Sequence, residues 1–166
     1  MGHFFYPHPI PVTETQKHSA YPGCYALSKV LEEVMLEQYQ IQYSLPSTCL
    51  RAPWIMEKDD FKYSLSFGDD VFGGPVWKDL VSEELAKRYK EAGNIPLMLN
   101  DKGEPIKRNF IHVDDLVQAI MHAILLPDKA NGNTFNISMD TPVDYGEVSE
   151  YLKDSRGIES IPIKTQ

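Results

Sequence analysis

Segments with helical periodicity alternate with short strand-like segments along most of this 166-residue chain. Between about residues 23 and 43, apolar residues recur at spacings of three and one, which is typical of one face of a helix. Strand candidates follow in order along the chain, each of them short and rich in apolar residues: STCLRA, IPLML, RNFIHV and NTFNIS. Because helices and strands alternate rather than segregate, the sequence predicts an α/β fold.

Three more helices are predicted further along the chain. The first covers residues 76–92. The second uses Asp114 as its N-terminal cap and carries an apolar stripe from Leu116 to Leu125, which we expect to pack in the core. The third begins after Asp144, which caps it. Proline-rich residues 1–22 and the segment 53–75 show no clear period and are predicted to be loops.

The segment HVDD, residues 112–115, contains side chains of the types that bind metals. A strand that runs into an aspartate-capped helix explains both carboxylates, because the positive end of the helix dipole favours acidic residues there. We therefore predict that His112 is a half-buried, hydrogen-bonded residue and that the chain has no metal site.

The composition excludes several classes of protein. A net charge of −8 offers no broad basic surface for nucleic acid, and no apolar run approaches the roughly 18 residues that a membrane span needs. The first residues, MGHFFYPHPIPV, lack the basic start of a secretory signal and are interrupted by prolines. Two cysteines, Cys24 and Cys49, form neither a metal motif nor a disulfide framework. We therefore expect a cytoplasmic protein with reduced, near-core thiols.

Tyr25 and Lys29 lie four residues apart near the start of the first predicted helix, so their side chains share one face. A tyrosine that acts as a base at about pH 7 needs its pKa lowered by about three units, or roughly 4 kcal/mol. A lysine about 4 Å away supplies about that much in a closed cleft, but water screens an exposed pair. The spacing alone leaves two interpretations open: an acid/base pair, or two ordinary residues on a solvated helix face.

The segments around this pair occur in a recognisable order. PVTETQKHSAYPGCYALSKVLEE comes first, LRAPWIM follows, and RNFIHVDDLVQAIMHAI and TFNIS come later. This order closely resembles the extended short-chain dehydrogenase/reductase family, and more narrowly its NAD-dependent epimerase/dehydratase group. The resemblance implies an incomplete Rossmann-type fold, equivalent to the C-terminal part of such an enzyme with a small substrate lobe. It assigns residues 1–52 and 109–140 to the cofactor-domain sheet and helices, and residues 53–108 and 141–166 to the substrate-binding lobe.

The resemblance also implies roles for individual residues. Tyr25 is the expected catalytic general acid/base, and Lys29 is expected to lower the pKa of that phenol. Both residues are expected to bind the cofactor, NAD or NADP, and Lys29 is expected to bond its nicotinamide ribose. Arg108 matches an arginine that grips the substrate diphosphate, a task that suits its planar fork of donors. Glu14 matches an acidic residue that is either structural or in contact with substrate. Trp54 stands where several family members carry a substrate-binding asparagine, which places a standard UDP-sugar pocket in question.

The chain departs from the family in one large respect. It contains no glycine-rich turn of the kind that holds a dinucleotide pyrophosphate, because Gly68, Gly73 and Gly74 have neither the spacing nor the strand-to-helix setting. We therefore expect the catalytic and substrate-binding portion of a nicotinamide-dependent epimerase, dehydratase or reductase, acting on a nucleotide sugar or a related small molecule. We expect this portion to be inactive alone.

The alternative is a non-catalytic remnant or an interaction module with the same fold. In the family, the helix that carries the tyrosine commonly pairs with its twin, so the resemblance implies a homodimer through the Tyr25 helix. The apolar residues expected in that contact are Leu27, Val30, Leu31 and Val34.

Overall fold

The computed structural model describes residues 12–17, 23–57, 60, 65–68, 75 and 77–165. In chain order, the elements are α1 (Cys24–Tyr43), β1 (Cys49–Arg51), β2 (Trp54–Met56), a 3₁₀ turn (Trp77–Asp79), α2 (Glu83–Glu91), β3 (Ile95–Leu99), β4 (Lys107–Arg108), β5 (Phe110–His112), α3 (Val113–Leu125), α4 (Pro127–Ala130), β6 (Thr134–Asn136), β7 (Val143–Asp144), α5 (Tyr145–Arg156) and β8 (Ser160–Lys164). The predicted α/β fold is therefore confirmed. The predicted loops at residues 1–22 and 53–75 lie mostly outside the described residues. Within the second loop the prediction is wrong at Trp54–Met56, because these residues form β2 and pair with β5.

The chain forms two compact units, each built from two separate stretches. One unit comprises Met1–Ile55 and Ile111–Met139, and the other comprises Met56–Phe110 and Asp140–Gln166. The resemblance assigned residues 1–52 and 109–140 to a cofactor-domain remnant and the other residues to a substrate-binding lobe. These two roles stay predictions.

The first unit is organised by a parallel pair of strands that are far apart in the sequence. Strand β1 pairs with β6 in a register that places Arg51 opposite Asn136. The turn before β6 is fastened to the segment before β1, because the Thr48 hydroxyl donates to the Ala130 carbonyl over 2.9 Å and the Ser47 amide donates to Asn131 Oδ1 over 2.9 Å. Parallel pairing of this kind requires a crossover connection, as in α/β folds.

Helix α1 spans almost the range that its periodicity predicted, from Cys24 to Tyr43. It ends where Ser44 takes a left-handed conformation, with φ of 54°, and its amide donates to the Gln40 carbonyl. Ala26 is the buried residue of this helix, and Cys24, predicted to be near the core, is exposed. The helix therefore contacts the rest of its unit through a face that is not its most apolar one.

Helix α3 corrects three predictions. The cap is His112, whose Nδ1 accepts from the Asp114 amide over 3.3 Å, so Asp114 is not the cap and the His112 side chain is half exposed rather than half-buried. The predicted core stripe is also wrong: its large side chains are exposed, namely Val117, Ile120, Met121, Ile124 and Leu125. Among the described residues α3 packs instead through smaller groups such as Ala119 and Ala123, because no described element of this unit covers the stripe.

The predicted helix over residues 76–92 is shorter in the structure. A 3₁₀ turn occupies Trp77–Asp79, and α2 begins at Glu83, where the Ser82 hydroxyl accepts from the Leu85 amide. A serine cap satisfies an otherwise unpaired amide and fixes the start of a helix, which explains why the regular helix does not begin at residue 76.

The second unit holds the parallel pair β3 and β8, the antiparallel pair β4 and β7, and helix α5, which contacts β3. Its core contains Met98 and Tyr145, each with 1% of its surface exposed. The predicted cap of α5 is confirmed, because Asp144 Oδ1 accepts from the Gly146 amide over 2.8 Å and from the Glu147 amide over 3.4 Å. The described residues include no helix that is long and apolar enough to cross a bilayer.

Candidate functional site

Helix α1 brings Tyr25 and Lys29 together on one face near its N-terminus. Lys29 Nζ lies 5.7 Å from the centroid of the Tyr25 ring, within the range of a cation–π contact. Gly23 precedes the helix with φ of 140°, a conformation that L side chains rarely adopt, so glycine lets the chain turn into α1 at this point. The tyrosine side chain is 71% exposed, so its phenol is open to solvent.

Lys29 shares its charge with a neighbouring carboxylate. Its ammonium donates to both oxygens of Glu32 over 3.0 Å, and this hydrogen bonding raises the pKa of Lys29. The lysine therefore keeps its proton throughout the neutral range. An acid/base pair needs a cover that excludes water from the Tyr25 phenol, whereas a solvated pair needs none. On an open helix face, water screens the charge of the Lys29 ammonium from the phenol.

The Glu14 side chain contacts protein backbone. Its Oε1 accepts from the Asn136 amide over 2.9 Å, and this hydrogen bond lowers the pKa of the Glu14 carboxyl. The Asn136 side chain returns a hydrogen bond from Nδ2 to the Val12 carbonyl over 3.0 Å. Of the two interpretations of Glu14, these contacts support the structural one, and contact with a substrate stays a prediction.

An ion pair that the sequence analysis did not anticipate joins α1 to β1. Arg51 Nε donates to both oxygens of Glu33 over 3.0 and 3.2 Å, and Arg51 Nη2 donates to Oε2 over 2.7 Å. The Glu33 carboxylate raises the pKa of Arg51, and burial next to that carboxylate raises the pKa of the Cys49 thiol. The available signal was Arg51 itself, because a charged residue inside a short apolar strand is rarely buried without a partner.

Arg108 belongs to the second unit, where β4 places it opposite Val143. Burial lowers the pKa of Arg108, and the charge interaction with the neighbouring Tyr145 hydroxyl partly offsets that effect. The neighbouring Lys107 is exposed, and its Nζ lies 2.8 Å from Asp144 Oδ2. This hydrogen-bonded ion pair raises the pKa of Lys107 and lowers the pKa of Asp144. Arg108 is thus a partly desolvated cation, the kind of group that gains most from an anionic ligand.

Trp54 is the last of the predicted site residues. It is a half-buried residue at the start of β2, which pairs with β5. In the first unit, an apolar cavity of about 280 Å³ is lined by Leu50, Phe135 and the inner side of α3, and it includes none of the predicted site residues. In the described part of the chain, His, Cys, Asp and Glu side chains form no group of three that could hold a metal ion.

Comparison with solved structures places this chain in a known fold. A short-chain dehydrogenase/reductase superfamily protein from Agrobacterium tumefaciens with bound NAD superposes with a TM-score of 0.70 at 19% identity, over 96% of this chain and 51% of the other. The dTDP-glucose 4,6-dehydratase from Bacillus anthracis in complex with NAD gives 0.65 at 17% identity, over 98% of this chain and 46% of the other. UDP-glucuronic acid 4-epimerase from Bacillus cereus, also with NAD, gives 0.55 at 13% identity, over 92% and 43%.

The chain thus spans about half the length of these proteins. No protein-family model matches the chain, and no curated protein matches it. At identities of 13–19%, the similarity establishes the fold alone. The prediction of a Rossmann-type fold that corresponds to part of such proteins is therefore confirmed.

Proposed function

We propose that this chain is the portion of a nicotinamide-dependent epimerase, dehydratase or reductase that carries the catalytic tyrosine and lysine and the substrate lobe. The substrate class is a nucleotide sugar or a related small molecule. The observation that supports this proposal most is the placement of Lys29 Nζ 5.7 Å from the Tyr25 ring, on a helix of a fold shared with NAD-bound dehydratases and epimerases.

Tyr25 is the group that exchanges a proton with a substrate hydroxyl or carbonyl. Bound nicotinamide supplies the hydride acceptor or donor. Lys29 remains protonated, so it stabilises the phenolate by charge and can donate to a ribose hydroxyl. In the open arrangement of the structure, water screens this charge, and its full effect requires a closed site of low effective dielectric.

The residues of this chain fit only part of a dinucleotide. Lys29 suits the nicotinamide ribose, but the sequence offers no glycine-rich turn for the pyrophosphate. We therefore derive no complete turnover from this chain, and we propose that it needs a dinucleotide-binding partner region to act.

Arg108 is the proposed anchor for the substrate diphosphate. Its guanidinium is partly desolvated, and its planar fork of donors can make two parallel hydrogen bonds to a phosphate. Lys107, one position earlier, is an exposed side chain in an ion pair with Asp144, and its ammonium lacks such a fork.

The proposal predicts a specific pattern of binding and turnover. The chain should show no turnover of dTDP-glucose or UDP-glucuronate with NAD, and no NADH binding tighter than about 1 mM by fluorescence titration. It should bind UDP or dTDP in calorimetry, and Arg108→Lys should weaken that binding about tenfold because lysine lacks the bidentate fork. The matched variant Lys107→Gln should bind as the wild type does.

Two results would contradict this proposal in different ways. Measurable turnover with NAD would show that the chain needs no dinucleotide-binding partner region. Absence of UDP and dTDP binding at millimolar concentration would refute the proposed nucleotide-sugar class.

The second candidate function is that of a self-associating interaction module, and one observation favours it. The outward face of α1 exposes large apolar side chains, with Leu27 49%, Leu31 50%, Val34 41% and Met35 57% exposed. Val30, which was also expected in this contact, is half-buried instead. A contiguous apolar patch of this kind is typical of an interface.

A homodimer through this face should be detectable by sedimentation at tens of micromolar. Leu31→Glu should raise its dissociation constant at least about tenfold, because the contact would bury an unpaired charge. The control Gln118→Glu adds the same charge at an exposed position of α3 and should leave association unchanged. A strictly monomeric wild type would exclude this function.

A further inference from the structure

Helix α1 packs on its unit through a face that is largely polar. The residues that are buried or half-buried are Ala26, Lys29, Val30, Glu33 and Gln40. The apolar stripe, formed by Leu27, Leu31, Val34 and Met35, is exposed and faces outward. Apolar burial within the unit would favour the opposite rotation, since it would cover that stripe. The observed rotation of α1 about its axis therefore needs a cause other than apolar packing.

The ion pair between Glu33 and Arg51 is suited to that role. It is bidentate, and both side chains are only 14% exposed. In the other ion pairs of the described residues, at least one partner is 50% exposed or more. A buried ion pair is weak evidence for stability, and its best-supported use is to specify one arrangement among alternatives.

Arg51 is fixed on its other side. It lies on β1 opposite Asn136, and its Nη1 donates to the Glu14 carbonyl over 3.2 Å. The Glu14 carboxylate in turn accepts from the Asn136 amide, and the Asn136 side chain donates to Val12. These hydrogen bonds form a network that joins β1, β6 and the segment 12–16. The network holds the Arg51 guanidinium in one position, where it binds Glu33.

We propose that Glu33 and Arg51 are positioning residues that set the rotation of α1 and thereby the directions of Tyr25 and Lys29. Lys29 precedes Glu33 by four positions and Tyr25 precedes it by eight, so helical geometry offsets them from Glu33 by about 40° and 80°. Any rotation of α1 about its own axis moves Tyr25 and Lys29 together. The consequence for chemistry rests on the proposed function, but the rotation itself does not.

The test is the double variant Glu33→Gln/Arg51→Gln in the full chain, which removes both charges and adds no apolar group to the packed face of α1. Cys24 reports the rotation, because it is exposed on the same side of α1 as the apolar stripe. With its charges gone, α1 should turn this side inward and slow maleimide labelling of Cys24 by about tenfold at unchanged thermal stability. Peptide mass spectrometry separates this label from Cys49, and labelling is done at submicromolar protein so that association does not protect the thiol.

Arg51→Lys keeps an ion pair with Glu33, so Cys24 in this variant should label at the wild-type rate. A loss of stability alone would not produce this difference between the two variants. Unchanged labelling in a folded double variant would overturn the proposal, because packing alone would then fix α1. Should the double variant not fold, Glu33→Gln decides: slower labelling of Cys24 supports the proposal, and an unchanged rate overturns it. None of these readouts needs NADH or turnover, so failure here is distinguishable from failure of the proposed function.

Discussion

Replacement of Arg51 by alanine is expected to lower the free energy of unfolding by about 3 kcal/mol. The variant leaves the Glu33 carboxylate, 14% exposed, without its bidentate partner, and it also removes the hydrogen bond to the Glu14 carbonyl. Loss of one member of a buried pair costs far more than the pair contributes, because the remaining charge stays desolvated. Urea unfolding monitored by circular dichroism measures the change.

A double-mutant cycle separates this effect from simple loss of side-chain packing. Glu33→Ala/Arg51→Ala should be more stable than the sum of the two single changes predicts, by about 2 kcal/mol, because the double variant buries no isolated charge. The exposed pair Lys87–Glu91, whose side chains are 75% and 68% exposed, is the control, and Lys87→Ala should change stability by less than about 0.5 kcal/mol. Additive effects at Glu33 and Arg51 would show that the two residues act independently.

Replacement of Met98 by alanine should destabilise the second unit by about 3 kcal/mol. Met98 lies in β3 with 1% of its surface exposed, so truncation removes buried apolar area and leaves a cavity that strand backbone cannot close. Met98→Leu preserves the volume and should cost less than about 1.5 kcal/mol. Thermal and urea unfolding of both variants provide the measurement.

The matched control is Met139→Ala, since Met139 is 45% exposed and its truncation should change stability by less than about 0.5 kcal/mol. Equal losses at Met98 and Met139 would contradict the core position of β3. Arg51 and Met98 belong to different units, so the two variants also show whether the units unfold in one transition or in two.

The elements of this fold were predictable where local chemistry decides them. Periodicity predicted α1, and the aspartate at residue 144 predicted the start of α5, because a side-chain oxygen that pairs with free amides acts locally. The burial of helix faces was not predictable in this way. The stripe of α3 was predicted to be core, yet Ile124 is 64% exposed, because periodicity identifies an apolar face without identifying what covers it.

The candidate site was predictable to a similar depth. The pairing of Tyr25 with Lys29 follows from helical spacing, which one element determines alone. The contacts of Glu14 with Asn136 and of Glu33 with Arg51 join residues from different elements, so only the tertiary arrangement reveals them. The proposed roles of Trp54 and Arg108 come from resemblance, and they stay predictions until ligand binding is measured.

The interleaving of the two units has a consequence for synthesis on the ribosome. Ser47 bonds Asn131, 84 residues later, and Asn94 bonds Glu159, 65 residues later. At about 5–20 residues per second, strand β1 waits roughly 4–17 s for its partner after it has been made. During that interval the nascent chain presents unpaired strand edges and the apolar side of α1. We therefore expect its yield in cells to depend on chaperones that bind such segments before translation ends.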